Sequence, residues 1–256
     1  MTRAAFVIGP SRSGTSVLAQ AMGRHPQVVA TEELHFYNLL APANTGAGGQ
    51  EYRATLLAQL KAIQHEARFF EIKNGTASDL PAVTADELPD ASAPLLPAFF
   101  DALAREAGAE AVVEQTPMNL YYRDCIRADF PGVVFFLMRR DPRAILASQK
   151  MRWQVGGHGA RHIPARDIAR VRYAGHPLLQ LILMRKTARA VVEAAAEPDV
   201  ELIVYEDLVR NPHGTLARLA ARLGLDYDPA MAEVSDAGSS HASEAGGRGF
   251  DASRLE

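Results

Sequence analysis

The chain has 256 residues, with 27 Lys and Arg against 30 Asp and Glu, for a formal net charge of −3. That near balance supplies no global basic field for nucleic acid or an anionic membrane. The one cysteine, Cys125, rules out an intrachain disulfide framework, so a reducing, cytoplasmic setting is expected and Cys125 reads as a packing residue.

The start, "MTRAAFVIG", has no long apolar leader segment, and no run approaches the ~18 apolar residues of a membrane span. His158 and His162 are four residues apart, but in a Gly-rich stretch with no Glu between them, so no metal site is expected. Lysines are few while Arg and Ala abound. This composition fits a high-GC bacterial genome and, by association, secondary metabolism.

In chain order, residues 4–9 have the pattern of a buried strand, followed by a helix over about 14–24. A short strand fits "QVVA" at 27–30, and "APANTGAGGQ" at 41–50 is a small-residue loop. Helical periodicity returns over 51–67, residues 74–93 look irregular, and a helix fits 94–107. A buried strand at 110–115 leads into a helix over about 118–129. "GVVFFLMR" at 132–139 is continuously apolar up to its end, as an interior parallel strand should be. Pro142 then opens a helix to about 152, and "QVGGHGARHIP" at 154–164 is a loop. A long helix fills 165–196, "VELIVYED" at 200–207 is a strand, and 211–225 is a helix that ends at Gly224.

Strands alternating with helices predict a three-layer α/β fold: a parallel sheet of the P-loop-NTPase kind, flanked by helices. A single domain over 1–256 is expected, with a flexible Ser/Gly/Ala-rich tail from about 235 to 256. Ligands in such sheets sit beyond the carboxyl ends of the strands. Three loops there carry chemically loaded residues: 10–16, 31–35 and 139–148.

The first is "GPSRSGTS". A strand that turns through glycine into a helix aims backbone N–H groups at an anion, and the helix dipole adds to the attraction. Arg12, Ser13, Gly14, Thr15 and Ser16 belong to this turn. A Walker loop would place Lys before its Ser/Thr, but the cation here is Arg12, inside the loop. Strand 132–139 ends in Arg139-Arg140, where a triphosphate site would have a metal-binding acid. The pattern suits an anion bound by guanidinium and hydroxyl groups without a metal. The plain alternative is a Ser/Thr cap on an ordinary βα turn. In the 139–148 segment, Arg140 at the strand end and Ser148 two turns into the next helix can reach one phosphate together. The alternative there is that Arg139, Arg140 and Arg143 form surface pairs with Asp141.

Taken in order, "PSRSGTS", "HPQV" and "EE", then "VVFFLMRRDPRAILAS" and "IVYEDLVRNPHGTL", resemble the sulfotransferases that use PAPS (3′-phosphoadenosine 5′-phosphosulfate). The likeness spans about residues 4 to 225 and is closest to the bacterial and tyrosylprotein-type branch. It implies that Arg12, Ser13, Gly14, Thr15 and Ser16 hold the 5′-phosphosulfate, and that Arg140 and Ser148 hold the 3′-phosphate. Tyr205 is similar to a family tyrosine near the adenine. Arg248, in "GGRGF", resembles the basic-glycine loop that closes over the nucleotide.

"VVATEELHFY" places Glu32, Glu33 and His35 just past a short strand, on the ligand side of the sheet. The branch has a Glu-Glu pair here whose second member is the catalytic base, which implies Glu33 as base. His35 is the reserve, because an imidazole titrates near neutrality. The implied reaction moves a sulfuryl group from PAPS to a small-molecule hydroxyl and leaves PAP (3′,5′-diphosphoadenosine), with no metal. A partner of nucleic acid or membrane is not expected, and a homodimer is left open.

Two departures from the family pattern matter. Val17 stands where another branch has an adenine-stacking Trp, and in "EQTP" at 114–117 Gln115 replaces the Lys that many members carry before Thr-Pro. Two other readings stay open: a kinase-like phosphotransferase using ATP·Mg²⁺, and a nucleotide-binding homologue with weak turnover. Phe36, Tyr37, Phe69, Phe70, Met151 and Trp153 either line an acceptor pocket or belong to the core.

Overall fold

The computed structural model describes residues 2–31, 33–40, 95–154, 177–234 and 250. Glu32, Phe69, Phe70, Arg248, the expected helix over 51–67 and the loop at 41–50 lie outside them, as do the side chains of Met151 and Trp153.

Five strands form one sheet: β1 (Arg3–Ile8), β2 (Val28–Thr31), β3 (Ala111–Gln115), β4 (Val134–Arg139) and β5 (Val200–Val204). Their spatial order is β2-β3-β1-β4-β5, and every neighbouring pair is parallel. The predicted α/β class with a parallel sheet is therefore observed. β1 is the middle strand, and its run Ala5–Ile8 is fully buried because both of its faces are covered.

Side chains alternate between the two faces. Phe6 and Ile8, Val112, and Phe135 and Leu137 pack against α2 (Leu95–Ala107) and the end of α5 (Pro177–Ala194). Val7, Val113, Phe136 and Met138 pack on the other face against α1 (Thr15–Gly23) and α7 (Pro212–Arg222). Burying a large aliphatic or aromatic side chain contributes about 1.5–3 kcal/mol. The two faces thus hold helices on both sides, as the βα alternation predicts.

Several boundaries differ from the sequence reading. The expected helix over 118–129 is two pieces, a 3₁₀ turn at Pro117–Tyr121 and α3 (Arg123–Asp129). Tyr122 separates them, with φ −119° and ψ 16°, outside the helical basin. Cys125 is exposed on α3 and not packed, because Ile126 supplies that short helix's buried contact. The strand expected to reach 207 ends at Val204, and Tyr205 begins α6 (Tyr205–Arg210). Glu206 and Asp207 occupy the first turn of α6, where the helix dipole favours acids. Phe36 and Tyr37 are buried in the core, and Tyr37 donates its hydroxyl proton to Asp129 at 2.8 Å.

Other signals hold. Pro142 opens α4 (Pro142–Gln154). Asn211 caps α7 by accepting from the Gly214 amide at 3.1 Å. α7 closes at Gly224, φ +67°, through Leu225 N–H to Ala220 O and Gly224 N–H to Ala221 O, a Schellman pair.

Because all five strands are parallel, Ile8, Thr31, Gln115, Arg139 and Val204 end on one edge of the sheet. The chain leaves β1 there through Gly9, φ +141°, where a Cβ would lie 2.6 Å from the Met138 carbonyl oxygen of the neighbouring strand. We expect Gly9→Ala to lower stability by about 2–3 kcal/mol, read as a lower urea midpoint at unchanged slope. A wild-type midpoint would show that the turn has room to relax.

Candidate functional site

Two clusters of polar groups form along that edge. The first surrounds the loop between β1 and α1. Gly9, Arg12 and Gly14 all have left-handed φ values, +141°, +73° and +97°. For Arg12 this conformation is costly, and such strain concentrates where the backbone serves a ligand. Gly14 has no alternative residue, because a Cβ there would collide with the ring of Tyr205.

Alternating the hand of successive residues turns their N–H groups into a common concavity suited to an anion. The helix that follows has no side-chain cap at Gly14 and no acid in its first turn. Its positive end thus faces the loop without a carboxylate to neutralise it. Ser13 is fully buried and donates its hydroxyl to the Pro10 carbonyl at 2.6 Å, so its side chain braces the loop from inside. Thr15 is buried as well, while Ser16 is half-buried at the start of α1.

Arg140 and Ser148 both converge on Arg12. The Arg12 Nε–H donates to Ser148 Oγ at 3.1 Å, and Arg140 Nη1 donates to the Arg12 carbonyl at 3.1 Å. The Arg140 guanidinium carbon lies 4.2 Å from the centre of the Tyr205 ring, a cation–π contact. Its Nε is buried and has no hydrogen-bond partner among the described residues. A buried charged donor left unmet is costly, and an anion at this place would satisfy it.

The neighbouring Arg143 behaves differently. It is exposed and pairs with Asp141 at 2.6 Å, which holds the Asp141 carboxyl below its usual range. The "RRDPR" run thus splits: Arg143 makes the surface pair, and Arg140 turns to the loop. Among the described residues, no group of three or more His, Cys, Asp and Glu side chains could hold a metal ion.

The second cluster follows β2. Glu33 and His35 stand side by side, with Glu33 Oε2 3.0 Å from His35 Nε2, and both are partly exposed. His35 Nδ1 lies 3.3 Å from Asn38 Oδ1. The bond to Glu33 raises the His35 pKa above its ordinary value, outweighing the effect of its burial. The two candidates for base therefore form one carboxylate–imidazole pair. His35 also has left-handed backbone, φ +53°.

Sequence reasoning passed over what holds that pair. Glu114, at the end of β3, is 1% exposed. Its Oε1 accepts from the Leu34 amide at 3.2 Å and from the Thr116 hydroxyl, and its Oε2 accepts from Asn119 Nδ2 at 2.7 Å. Thr116 Oγ1 in turn accepts from the His35 amide at 3.2 Å. Burial pushes the Glu114 carboxyl up to about 7, despite the hydrogen bonds that oppose it. The available signal was the acid itself: a Glu inside an apolar strand must find partners or function. Its neighbour Gln115 is equally buried, and its Oε1 has no partner among the described residues.

The two clusters adjoin through the sheet. β1 and β3 are neighbours, Val7 is level with Gln115, and the Gly9 amide bonds the Pro117 carbonyl at 3.4 Å. One edge thus presents a loop with two arginines and a carboxylate–imidazole pair.

The nodulation protein NoeE of Sinorhizobium fredii (strain NBRC 101917 / NGR234) is 26% identical over 231 residues, 88% of this chain and 50% of that protein. The chain therefore spans about half the length of this curated relative. Among solved structures, the sulfotransferase domain of the olefin synthase of Synechococcus PCC 7002 matches with a TM-score of 0.56 at 17% identity. That match covers 91% of this chain and 76% of that one. The sulfotransferase domain from the curacin biosynthetic pathway gives 0.53 at 16% identity, covering 91% and 77% of the two chains. A sulfotransferase from Alicyclobacillus acidocaldarius gives 0.51 at 17% identity, covering 91% and 89%. Likeness at these identities speaks for the shared fold. The sulfotransferase family model matches residues 4–229, which takes in all five strands and both polar clusters; the chain belongs to the sulfotransferase family.

Proposed function

We propose that the protein transfers the sulfuryl group of PAPS to a hydroxyl of a small-molecule acceptor. The observation that carries this reading is the adjacency of a cationic anion loop and a Glu33–His35 pair on one edge of the sheet. Membership of the family supports the donor, and the residues present fit it. Two phosphate-bearing ends require two cationic sites. Arg12, with the N–H groups of the loop and of Thr15 and Ser16, suits the 5′-phosphosulfate; Arg140, with its unmet Nε, and Ser148 suit the 3′-phosphate. Tyr205 supports this cluster from below Gly14, and Arg248 is proposed to close over the nucleotide.

In the reaction the acceptor oxygen attacks sulfur in line, the bond from sulfur to the 5′-phosphate oxygen breaks, and PAP leaves. Glu33 takes the hydroxyl proton, with His35 holding its carboxylate in place. Arg12 and the helix terminus stabilise the charge that grows on the leaving phosphate. Gln115, buried and uncharged, adds no cation, so Arg12 bears that task.

Relatives of like fold come from an olefin synthase and from the curacin pathway, which supports an acceptor from secondary metabolism. A single domain acting in the cytoplasm completes the proposal. No described helix is long and apolar enough to cross a membrane.

Calorimetry should show PAP binding without added metal, and much weaker binding of ATP·Mg²⁺. Tight ATP·Mg²⁺ binding with none of PAP would replace this reading by a kinase-like one. Glu33→Gln should lower kcat by roughly 10²–10⁴-fold while the Kd for PAP stays within about twofold, and an active variant would remove Glu33 as base. Arg140→Ala should weaken PAP binding by about 10- to 100-fold, as expected for loss of a charged hydrogen-bonding group.

A further inference from the structure

In the segment between β2, which ends at Thr31, and the turn at Phe36–Leu40, two backbone amides are bonded to side chains: those of Leu34 and His35. Neither bonds to strand backbone among the described residues. Leu34 N–H goes to Glu114 Oε1 and His35 N–H goes to Thr116 Oγ1, and Thr116 then donates to the same Glu114 oxygen. Asn119 holds the other carboxylate oxygen at 2.7 Å. Among the described residues, the corner that carries Glu33 and His35 is therefore fastened through the side chains of Glu114 and Thr116.

This fastening is an unusual choice for a structural brace. Glu114 is fully buried, and the donors that meet it are an amide, a hydroxyl and a carboxamide, all neutral. A buried carboxylate met only by neutral donors is expensive, and an apolar side chain would pack the same space at less cost. What an apolar side chain cannot do is hold His35 in its left-handed conformation, φ +53°, which an unrestrained histidine would leave.

We propose that Glu114 and Thr116 are positioning residues for the Glu33–His35 pair: by gripping the amides of Leu34 and His35 they impose the left-handed backbone that sets the imidazole against the Glu33 carboxylate. The proposal rests on the reading of Glu33 as base only for its effect on rate. The grip itself is a statement about geometry, and it has a readout independent of catalysis.

That readout is the titration of His35. The charged and polar groups that face its ring are Glu33, Asn38 and, at longer range, Glu114. Contact with Glu33 raises the His35 pKa, so a ring that swings away titrates closer to the ordinary histidine value of about 6.5. Long-range ¹H–¹⁵N NMR of the full chain follows it, with the His35 signal assigned from His35→Asn.

Thr116→Val keeps the shape of the buried side chain and deletes the hydroxyl. Thr116→Ser restores that hydroxyl. Glu114→Gln keeps an oxygen for Leu34 and Thr116, and Asn119, whose Oδ1 has no partner among the described residues, can turn its amide to accept from the new N–H. Glu114→Ala removes every contact. We expect the His35 pKa to fall toward 6.5 in Thr116→Val and Glu114→Ala. In Thr116→Ser it should stay at the wild-type value, and in Glu114→Gln it should fall only by the small contribution of the lost Glu114 charge, the contact with Glu33 being kept.

The rates should follow: kcat about 30-fold lower in the first two variants, within about threefold of wild type in the second two, with PAP affinity unchanged throughout. In a Glu33→Gln background, Thr116→Val should cost little further rate. His35 titrating as in the wild type in Thr116→Val would overturn the proposal, even if Glu114→Ala fails to fold. So would a loss of PAP binding in step with kcat, which marks a general structural role. If Glu33→Gln remains active while the His35 titration still moves in Thr116→Val, the base assignment fails and the positioning role stands.

Discussion

There is no room for a side chain at either end of the loop between β1 and α1. At Gly9 the obstacle is the carbonyl of Met138 on the adjacent strand, and at Gly14 it is the ring of Tyr205. The turn is pressed against β4 on one side and against the start of α6 on the other. Its backbone must then pass through left-handed conformations at the head of α1. The place of Arg12, the convergence of Arg140 and Ser148 on it, and the uncapped helix terminus all depend on that close approach.

The site divides into two parts with different physics. Around Arg12 the groups are cationic or are backbone dipoles, and their mutual contacts leave a buried donor unmet. In the proposed reading, a highly charged ligand supplies the missing negative charge. Around Glu33 the groups are anionic or titratable, and the backbone is held by a second acid, the buried Glu114. Charges of opposite sign on adjacent segments suit a reaction in which negative charge moves away from the bond being made. They follow β1 and β2, with β3 between those two strands.

Much of this was legible in the sequence, for identifiable reasons. Parallel strands are covered on both faces, so "AAFVI", "AVVEQ" and "VFFLM" stand out as short apolar runs at the observed places. Gly9, Gly14 and Gly224 mark turns because only glycine takes their φ values readily. What failed was local ambiguity: "VELIVYED" gives no sign that extended chain becomes helix at Tyr205, and nothing in "NLYYRD" marks the break at Tyr122. Contacts across the sheet were also illegible. The eight-residue spacing puts Arg140 and Ser148 within reach of one phosphate, but nothing in it shows that both also reach Arg12, Ser148 across 136 positions. The role of Glu114 is not legible in the sequence because its partners come from two separate segments, Leu34 on one side and Thr116 and Asn119 on the other.

The exposure of Cys125 has a practical side. It is the only thiol in the chain, and it sits on α3, the helix that descends from the site-bearing edge of the sheet toward the start of β4. The same helix ends at Asp129, which the Tyr37 hydroxyl holds just beyond the Glu33–His35 corner. A fluorophore or spin label can therefore be attached at one defined point without engineering a cysteine or removing one. It would report on the segment that links the corner to the body of the fold, while leaving both polar clusters chemically untouched.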